Sequence, residues 1–405
     1  MKAGWQSKPL GEVCKTGSGG TPLKSRKEFY ENGTIPWLMS GEVSQGEVHE
    51  ATRFITKKGL ENSSARIFPI NTVLVAMYGA TAGQVGILKF EASTNQAVCG
   101  ILPSEQFIPE FLYYFFLSKK DALISQATGN AQPNISQIKI KNISVPIINL
   151  DQQQRIVAIL DQAFEGIAKA RTNAEQNLQN ARALFESHLQ SVFTERGEGW
   201  VKKKLGETSI LKIIDGDRGI NYPSKEEFSD DGFCLFLNTK NVRPDGFNFD
   251  TTMFISEKKD KVLRNGKLQR QDVILTTRGT IGNVAIFDAN VEFENIRINS
   301  GMLIFRPNKE KLLSSFLFEV FRSSIMKDQM IRHVSGAAQP QLPIKTLIDF
   351  EIPVPDTLES QREIVASVRE IDAETRRLGA IYQRKLTLLD ELKKSLLQQA
   401  FAGEL

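Results

Sequence analysis

Two long stretches of the chain repeat apolar residues at the three- and four-residue steps of an amphipathic helix and contain no proline. They cover residues 150–193 and 358–401, and a shift of 208 positions superimposes them without a gap. Their apolar stripes run through Leu184 and Leu392 at equivalent places. A helix of this size is about 65 Å long and cannot bury such a stripe alone. The pattern therefore predicts an antiparallel, coiled-coil-like pair of helices.

The residues before each long helix follow the shorter period that is typical of β-strands. Residues 72–77 and 272–276 are β-branched, apolar runs that end near a glycine, and residues 83–87 and 282–286 have the pattern of return strands. We therefore expect one hairpin in each half of the chain. Aromatic-rich stretches predict one further helix in each half, at 108–122 and 312–326.

The two halves repeat each other with offsets that grow slowly along the chain, from 195 to 208, as loop insertions would cause. We predict the α+β class. Two similar domains of mixed sheet plus helices are separated by two long antiparallel helices, in a pseudo-twofold and nearly circular arrangement. The predicted segments are a first domain at 1–149, a first long helix at 150–196, a second domain at 197–356 and a second long helix at 357–405.

Composition narrows the class of protein only slightly. The chain has 405 residues, a formal net charge of +4, 41% hydrophobic residues and 24% charged residues, as a globular protein that could bind nucleic acid would have. Its three cysteines lie far apart, which argues against a disulfide framework and favours the cytoplasm. The N-terminus lacks a signal-peptide core, and the apolar run at 111–117 is too short to span a membrane.

A search of the sequence for catalytic motifs finds no convincing match. The chain lacks the Asn/Asp-Pro-Pro-aromatic tetrapeptide of adenine methyltransferases. The glycine-rich segment 17–25 departs from a phosphate-binding loop, because Leu23 stands where glycine is needed and Pro22 removes a backbone donor. Asp245, Glu257 and Lys259 imitate a metal-dependent nuclease core, but the first domain has no equivalent set. The sequence therefore predicts no catalytic residue and no metal site.

Polar and basic side chains gather instead in loops at the ends of predicted strands. Such side chains pair with base edges in the major groove or hold phosphates. Loops are polar in any protein, but here the two domains differ in these loops over a shared framework. The candidate DNA-binding residues are Thr21, Lys24, Arg26, Ser40, Glu42, Tyr78, Thr81, Gln132 and Asn134 in the first domain, and Arg218, Asn221, Lys240, Asn241, Arg278, Thr280, Gln339 and Gln341 in the second.

The order of several short motifs resembles the specificity (S) subunits of type I restriction-modification systems. The motifs are the paired Leu-Gly-Glu openings at 10–12 and 205–207, Gly19-Gly20-Thr21-Pro22, Ile35-Pro36-Trp37 with Ser40-Gly41-Glu42, Arg278-Gly279-Thr280-Ile281-Gly282, the Gln-Pro loops at 132–133 and 339–340, Gln153 and Gln361 before Ile-Val-Ala, and the terminal 401–405. Each motif is weak, but together they cover the whole chain. One departure is that Gly19-Gly20-Thr21-Pro22 has no clear copy near 215–220.

The resemblance implies that the two domains are target-recognition domains, each reading half of a split sequence in double-stranded DNA. The long helices would fix the unread spacer and dock two modification (methyltransferase) subunits, and restriction (motor-nuclease) subunits would join the complex. This chain would need no cofactor, whereas its partners would use S-adenosylmethionine, ATP and Mg²⁺, and no membrane is involved. Two alternatives stay open: a specificity subunit for a fused methylase-nuclease, and a self-contained nuclease that uses Asp245, Glu257 and Lys259.

Overall fold

The computed structural model describes residues 5–125, 134–195, 197–334, 336 and 340–405, apart from the side chain of Gln45. Contacts divide the chain into two compact units. One consists of Met1–Glu175 with Arg384–Leu405, and the other of Gln176–Gln383. Each unit therefore contains one globular domain and one part of each long helix.

The first domain consists of short strands in two mixed sheets. Its strands are β1 (Gln6–Pro9), β2 (Thr16–Ser18), β3 (Ile35–Leu38), β4 (Glu47–Val48), β5 (Phe54–Ile55), β6 (Ile67–Phe68), β7 (Val73–Ala76), β8 (Val85–Leu88), β9 (Ala92–Thr94), β10 (Val98–Ile101) and β11 (Ser144–Ile147). One sheet has the order β2-β10-β7-β8-β4, the other has the order β5-β3-β9-β6, and β1 pairs with β11. Parallel pairs, β3 with β9 and β4 with β8, occur in both sheets.

The second domain repeats this plan. Its strands are β12 (Trp200–Lys204), β13 (Leu211–Asp215), β14 (Cys234–Leu237), β15 (Val242–Arg243), β16 (Gly246–Phe247), β17 (Phe254–Ile255), β18 (Val273–Thr276), β19 (Val284–Ile286), β20 (Ile296–Ile298), β21 (Met302–Pro307) and β22 (Glu351–Pro355). The sheets are β13-β21-β18-β19 and β17-β14-β20, with the pairs β15-β16 and β12-β22. The predicted hairpins are confirmed as β7-β8 and β18-β19.

Most of the α-helices are short, and the two long helices α5 and α10 are the clear exceptions. The α-helices are α1 (Leu10–Val13), α2 (Lys57–Glu61), α3 (Pro109–Ser125), α4 (Gln137–Lys141), α5 (Leu150–Thr194), α6 (Glu257–Val262), α7 (Ser314–Arg322), α8 (Ser324–His333), α9 (Ile344–Leu347) and α10 (Leu358–Ala402). Turns of 3₁₀ helix cover Lys27–Phe29, Glu42–Gln45, Gly79–Thr81, Lys225–Glu227 and Thr239–Asn241.

The single helix predicted at 312–326 is wrong, because α7 and α8 divide at Ser323. The backbone of Ser323 is extended (φ −68°, ψ 158°), and its hydroxyl donates to the Val320 carbonyl at 2.6 Å. Ser323 is therefore the C-cap of α7 and the N-cap of α8.

Both long helices, α5 and α10, have 45 residues, and in each unit their segments run antiparallel. In the first unit Leu160 and Leu397 share the buried core, and the rings of Phe111 and Phe401 lie 5.3 Å apart. Further along, Arg171 pairs with Asp390. The α+β class, with mixed-sheet domains and two long linking helices, is confirmed.

In the second unit the same two helices meet through other residues. His188 contacts the Ser367 hydroxyl at 3.1 Å, and Leu178 lies against Gly379. The predicted stripe is wrong at Leu184 and at its equivalent Leu392, which are 50% and 46% exposed. The nearest buried residues of α5 are Ala181 and Leu189, and those of α10 are Leu386 and Leu397.

A buried glutamine ties each long helix to its own domain. Gln153 is wholly buried; its Oε1 accepts from the Ile108 amide at 2.9 Å and its Nε2 donates to the Gln106 carbonyl at 2.8 Å. Gln361 makes the equivalent pair of bonds, to the Leu313 amide at 2.8 Å and the Lys311 carbonyl at 3.0 Å. These bonds satisfy buried backbone groups that water cannot reach, so the glutamines fix where each helix starts.

Candidate nucleic-acid interface

In the first domain, the loop after β7 is held between two other backbone segments. The Met77 amide donates to the Ala97 carbonyl at 2.7 Å, and the Ile135 amide donates to the Met77 carbonyl at 2.8 Å. The next residue, Tyr78, then forms an isolated antiparallel bridge with Asn134. Two predicted site residues from distant parts of the chain therefore become neighbours.

The second domain copies this arrangement bond for bond. The Thr277 amide donates to the Gly301 carbonyl at 2.8 Å, and the Leu342 amide donates to the Thr277 carbonyl at 2.8 Å. Arg278 forms the isolated antiparallel bridge with Gln341. Arg278 and Gln341 thus occupy the backbone positions that Tyr78 and Asn134 occupy in the first domain.

A glycine in the left-handed conformation follows each bridge. Gly79 has φ +72° and Gly279 has φ +76°, and no atom would obstruct a side chain at either position. The requirement for glycine is therefore conformational and not steric. It turns the chain back into the return strand of each hairpin and leaves the preceding side chain at the loop.

A cleft of about 250 Å³ in the second domain brings together Arg218, Arg278 and Gln341 with Asp215 and Lys345. The Arg218 guanidinium pairs with the Asp215 carboxylate at 3.1 Å and donates to the Ser300 carbonyl at 3.3 Å. For the Arg278 guanidinium, the described part of the chain supplies no hydrogen bond or ion pair. The cleft thus combines three cationic side chains, one carboxylate and one amide, which suits an acceptor-rich ligand such as a base edge or a phosphate.

A different cleft in the first domain, of about 570 Å³, is lined by Lys24, Lys27, Tyr30, Trp37 and Arg53 among others. The Trp37 indole donates to the Gly20 carbonyl at 2.9 Å, and the Tyr30 hydroxyl donates to the Pro22 carbonyl. Burial raises the pKa of the Tyr30 phenol, which therefore stays a neutral donor.

Two more predicted residues lie near this cleft. Thr21 donates to the Gln96 side chain, and Arg26, whose side chain is 62% exposed, pairs with Glu28 at 3.3 Å. An exposed pair of this kind is weak, so a phosphate could displace it at small cost.

Asn241 was a candidate DNA contact, and the structure corrects this. The residue is wholly buried: its Oδ1 accepts from the Asn238 amide at 3.0 Å and its Nδ2 donates to the Thr251 carbonyl at 2.7 Å. Its amide therefore supports the loop from inside. The sequence could not distinguish this role, since asparagine both reads adenine and satisfies buried backbone groups.

Glu42 has the same internal role in the first domain. Its carboxylate accepts from the Met39 amide at 2.7 Å and from the Thr52 amide at 2.9 Å. The Met39 bond is the counterpart of the Asn238 bond in the second domain, since in each case the acceptor lies three residues further along the chain. Glu42 is half-buried, and these bonds shape the loop in which Ser40 lies.

The remaining predicted residues lie on loops, with various degrees of exposure. Lys24, Lys240 and Thr280 are exposed, while Ser40, Thr81 and Asn221 are half-buried. The Thr81 hydroxyl donates to the Tyr78 carbonyl at 3.3 Å, and the Asn221 amide approaches the Val262 carbonyl at 3.5 Å. Gln132 and Gln339 fall outside the described residues.

Sequence reasoning missed a pair of asparagines that shape the loops. Asn95 accepts from the Ala97 amide at 3.1 Å, and Asn299 accepts from the Gly301 amide at 2.9 Å. A side chain on Gly19 would collide with the Asn95 carbonyl, and one on Gly216 with the Asn299 carbonyl. Gly19 therefore has a counterpart in Gly216, although the Gly20-Thr21-Pro22 that follows it is not repeated, as the sequence indicated. An offset of 204 aligns the two asparagines, and an offset of 197 aligns the two glycines.

The residues of the nuclease alternative have other partners. Lys259 pairs with Glu227 at 2.8 Å, and Glu257 pairs with Lys261 at 2.8 Å. Within the described ranges, no cluster of three or more His, Cys, Asp or Glu side chains could hold a metal ion. The three cysteines are free and buried.

Comparison with known proteins gives one consistent result. A family model of the type I restriction modification DNA specificity domain matches the chain twice, over residues 2–177 and 197–383. The EcoKI specificity subunit of Escherichia coli K12 is 24% identical over 100% of this chain and 90% of its own length. The MjaIX specificity subunit of Methanocaldococcus jannaschii is 23% identical over 99% of this chain and 93% of its own length. The EcoR124I/EcoR124II specificity subunit of Escherichia coli is 31% identical over 46% of this chain and 48% of its own length.

Solved structures share the fold. A chain from a study of complex assembly and conformational transition of the type I R-M system matches with a TM-score of 0.81 at 20% identity, covering 100% of this chain and 99% of its own. The HsdS subunit from Thermoanaerobacter tengcongensis matches with a TM-score of 0.63 at 19% identity, over 100% and 98%. Among the described helices, none combines the length and the apolarity that a bilayer crossing requires.

Proposed function

The chain belongs to the family of type I restriction-modification DNA specificity proteins, and from this premise we propose that it binds double-stranded DNA at a bipartite target sequence. It directs partner subunits to that target and contributes no catalysis of its own. The observation that carries the proposal is the duplicated framework, in which one set of backbone bonds presents Tyr78 and Asn134 in one domain and Arg278 and Gln341 in the other. Two domains that share one framework but recognise different DNA sequences would differ in this way.

The partners follow from the same proposal. Two modification subunits bind S-adenosylmethionine and methylate an adenine that is flipped out of the duplex. Restriction subunits use ATP and Mg²⁺ to translocate and cleave DNA. The helices α5 and α10 dock the modification subunits and set the length of the unread spacer between the half-sites.

The proposed DNA contacts are the candidates that the structure leaves on loops. Lys24, Arg26 and Lys240 are exposed cations suited to phosphates, which add affinity but little sequence information. The other proposed contacts are Thr21, Ser40, Tyr78, Thr81, Asn134, Arg218, Asn221, Arg278, Thr280 and Gln341, with Gln132 and Gln339.

Mapping of modified bases in the host genome tests the proposal. We expect adenine methylation at a motif of two short specified sequences separated by a fixed unspecified spacer, and its loss when this chain is deleted. A methylated motif without a gap, or one that survives the deletion, would contradict it.

Incubation of the purified chain with duplex DNA and Mg²⁺ separates the nuclease alternative. We expect uncut DNA with the wild-type chain and with Asp245→Ala. Cleavage that disappears in the variant would establish the alternative. Co-purification from the host then shows whether the partner methylase and nuclease are separate chains or one fused chain.

A further inference from the structure

Two pairs of side chains occupy the same two backbone positions in the two domains. The pair in the first domain is Tyr78 with Asn134, and the pair in the second is Arg278 with Gln341. Each pair comes immediately beside a backbone hydrogen bond of 2.8 Å, from Ile135 to Met77 or from Leu342 to Thr277. The equivalence therefore follows from the hydrogen-bond register and not from sequence similarity at the sites.

The supports behind these pairs are rigid. Met77 is 2% exposed and Thr277 is 7% exposed, and each continues a wholly buried strand, β7 or β18. The bridged residues themselves reach solvent, since Tyr78, Asn134 and Gln341 are exposed and Arg278 is half-buried. Because the backbone is already packed, binding of a ligand by these side chains requires no further ordering of the loop at these positions.

The chemistry of the two pairs differs in charge. Arginine pairs bidentately with O6 and N7 of guanine, and glutamine or asparagine pairs with N6 and N7 of adenine. Beside Arg278, the Asp215 carboxylate is engaged by Arg218 at 3.1 Å, and Lys345 adds a further positive charge. The pair in the second domain therefore carries a positive charge, whereas Tyr78 and Asn134 in the first domain are uncharged.

We propose that the bridged pair is the main determinant of base specificity in each domain. Arg278 reads a guanine and Gln341 an adjacent adenine in the half-site of the second domain. Asn134 reads an adenine in the half-site of the first domain, and Tyr78 packs against the bases beside that adenine. This inference rests on the proposed function and deepens it by assigning the bases.

Selection from a library of randomised DNA duplexes by the full chain, in complex with its methylation partners, tests the assignment. With the wild type we expect two half-sites, one of which contains guanine. Arg278→Ala should lose the preference for guanine at one position by about 10- to 100-fold. The double variant Arg278→Tyr, Gln341→Asn should acquire at those positions the bases selected by the first domain.

Two controls make the outcome decisive. The half-site of the first domain, which these changes leave intact, reports that the variant complex is folded. Lys309→Ala removes an exposed positive charge from the second domain, the domain that contains Arg278, and we expect it to leave the selected bases unchanged. If the alanine variant fails to bind either half-site, Arg278→Lys, which keeps the charge but lacks the planar fork of donors, should still weaken the guanine preference.

Three outcomes would overturn the inference or its premise. A uniform, salt-dependent loss of affinity for all sequences in Arg278→Ala would make Arg278 a phosphate contact. A change in both half-sites would show that the pair does not belong to one reader. Absence of any bipartite preference in the wild-type complex would instead refute the proposed function, and the inference with it.

Discussion

The two domains share one framework, yet at one buried place the second domain uses charges where the first uses none. In the second domain Asp260 on α6 pairs with Arg297 on β20 at 2.6 Å and with Lys267 at 2.5 Å. Arg297 also donates to the Asn265 and Leu263 carbonyls. Burial alone would raise the pKa of Asp260, but the bonds from Lys267 and Arg297 outweigh it and hold the pKa below its ordinary value.

In the first domain the same three positions carry Leu60, Ile67 and Ser93. Ser93 takes the place of Arg297, since each lies at the centre of a short strand that pairs in parallel with β3 or β14. Ile67 faces Ser93 across the strands as Lys267 faces Arg297. Among the described buried polar side-chain atoms, Ser93 Oγ is the one without a hydrogen-bond partner. The fold therefore does not require the charges.

This difference separates what the framework needs from what each domain has added. A buried ion cluster gives little net stability relative to apolar side chains, but it is expensive to break once present. We therefore expect the second domain to be much more sensitive than the first to single changes at these positions.

The largest effect should come from Asp260→Leu, which places in the second domain the residue found in the first. The buried Arg297 and the half-buried Lys267 would lose their partner, and the free energy of unfolding of that unit should fall by about 3–5 kcal/mol. Hydrogen exchange with mass spectrometry measures each unit separately. The double variant Asp260→Leu, Arg297→Ser should cost less than the sum of the two single changes, and strict additivity would show that the pair is not coupled.

The same cluster should make the second unit sensitive to acid. Because the pKa of Asp260 is lower in the folded protein, its contribution to stability is present above the unfolded value of 3.8 and is lost as the pH falls through the folded pKa. Asp260→Asn should lower stability at pH 7 and reduce this acid dependence. Identical pH profiles for variant and wild type would contradict the assigned role.

The shared glutamines should behave alike in the two units. Gln153→Ala and Gln361→Ala each leave buried backbone groups without partners and should each cost about 2–3 kcal/mol. Gln152, the exposed neighbour of Gln153, supplies the matched control Gln152→Ala, for which we expect almost no change. Urea unfolding followed by hydrogen exchange measures the three variants. A large cost in one unit alone would show that the glutamine belongs to that domain and not to the framework.

The smallest effect should be a gain. Ser93→Ala removes a buried hydroxyl that lacks a partner within the described structure, so the first unit should become more stable by up to about 1 kcal/mol. Calorimetric melting measures the change. Destabilisation by a similar amount would mean that the hydroxyl is satisfied in solution.

Much of the fold could be predicted from the sequence because its signals are local. The period of the apolar residues located α5 and α10, and β-branched runs that end near a glycine located the β7-β8 and β18-β19 hairpins. Local patterns could not locate the break at Ser323, whose backbone is extended between α7 and α8.

The candidate site was predicted less well, for a physical reason. Residue type identifies polar loops, but burial of Asn241 and the internal bonds of Glu42 depend on segments distant in sequence. The equivalences of Tyr78 with Arg278 and of Asn134 with Gln341 could be read from the offsets of the flanking motifs, while that of Gly19 with Gly216 became visible through the contacts of each glycine in the structure.

The central claim is that two separable domains each recognise one half of a split DNA target. The most direct test exchanges residues 200–350 for those of a relative with a different target and then maps the methylated motif. The account predicts that one half-site changes to that of the donor while the other half-site and the spacer length stay the same. A change in both half-sites, or in neither, would contradict it.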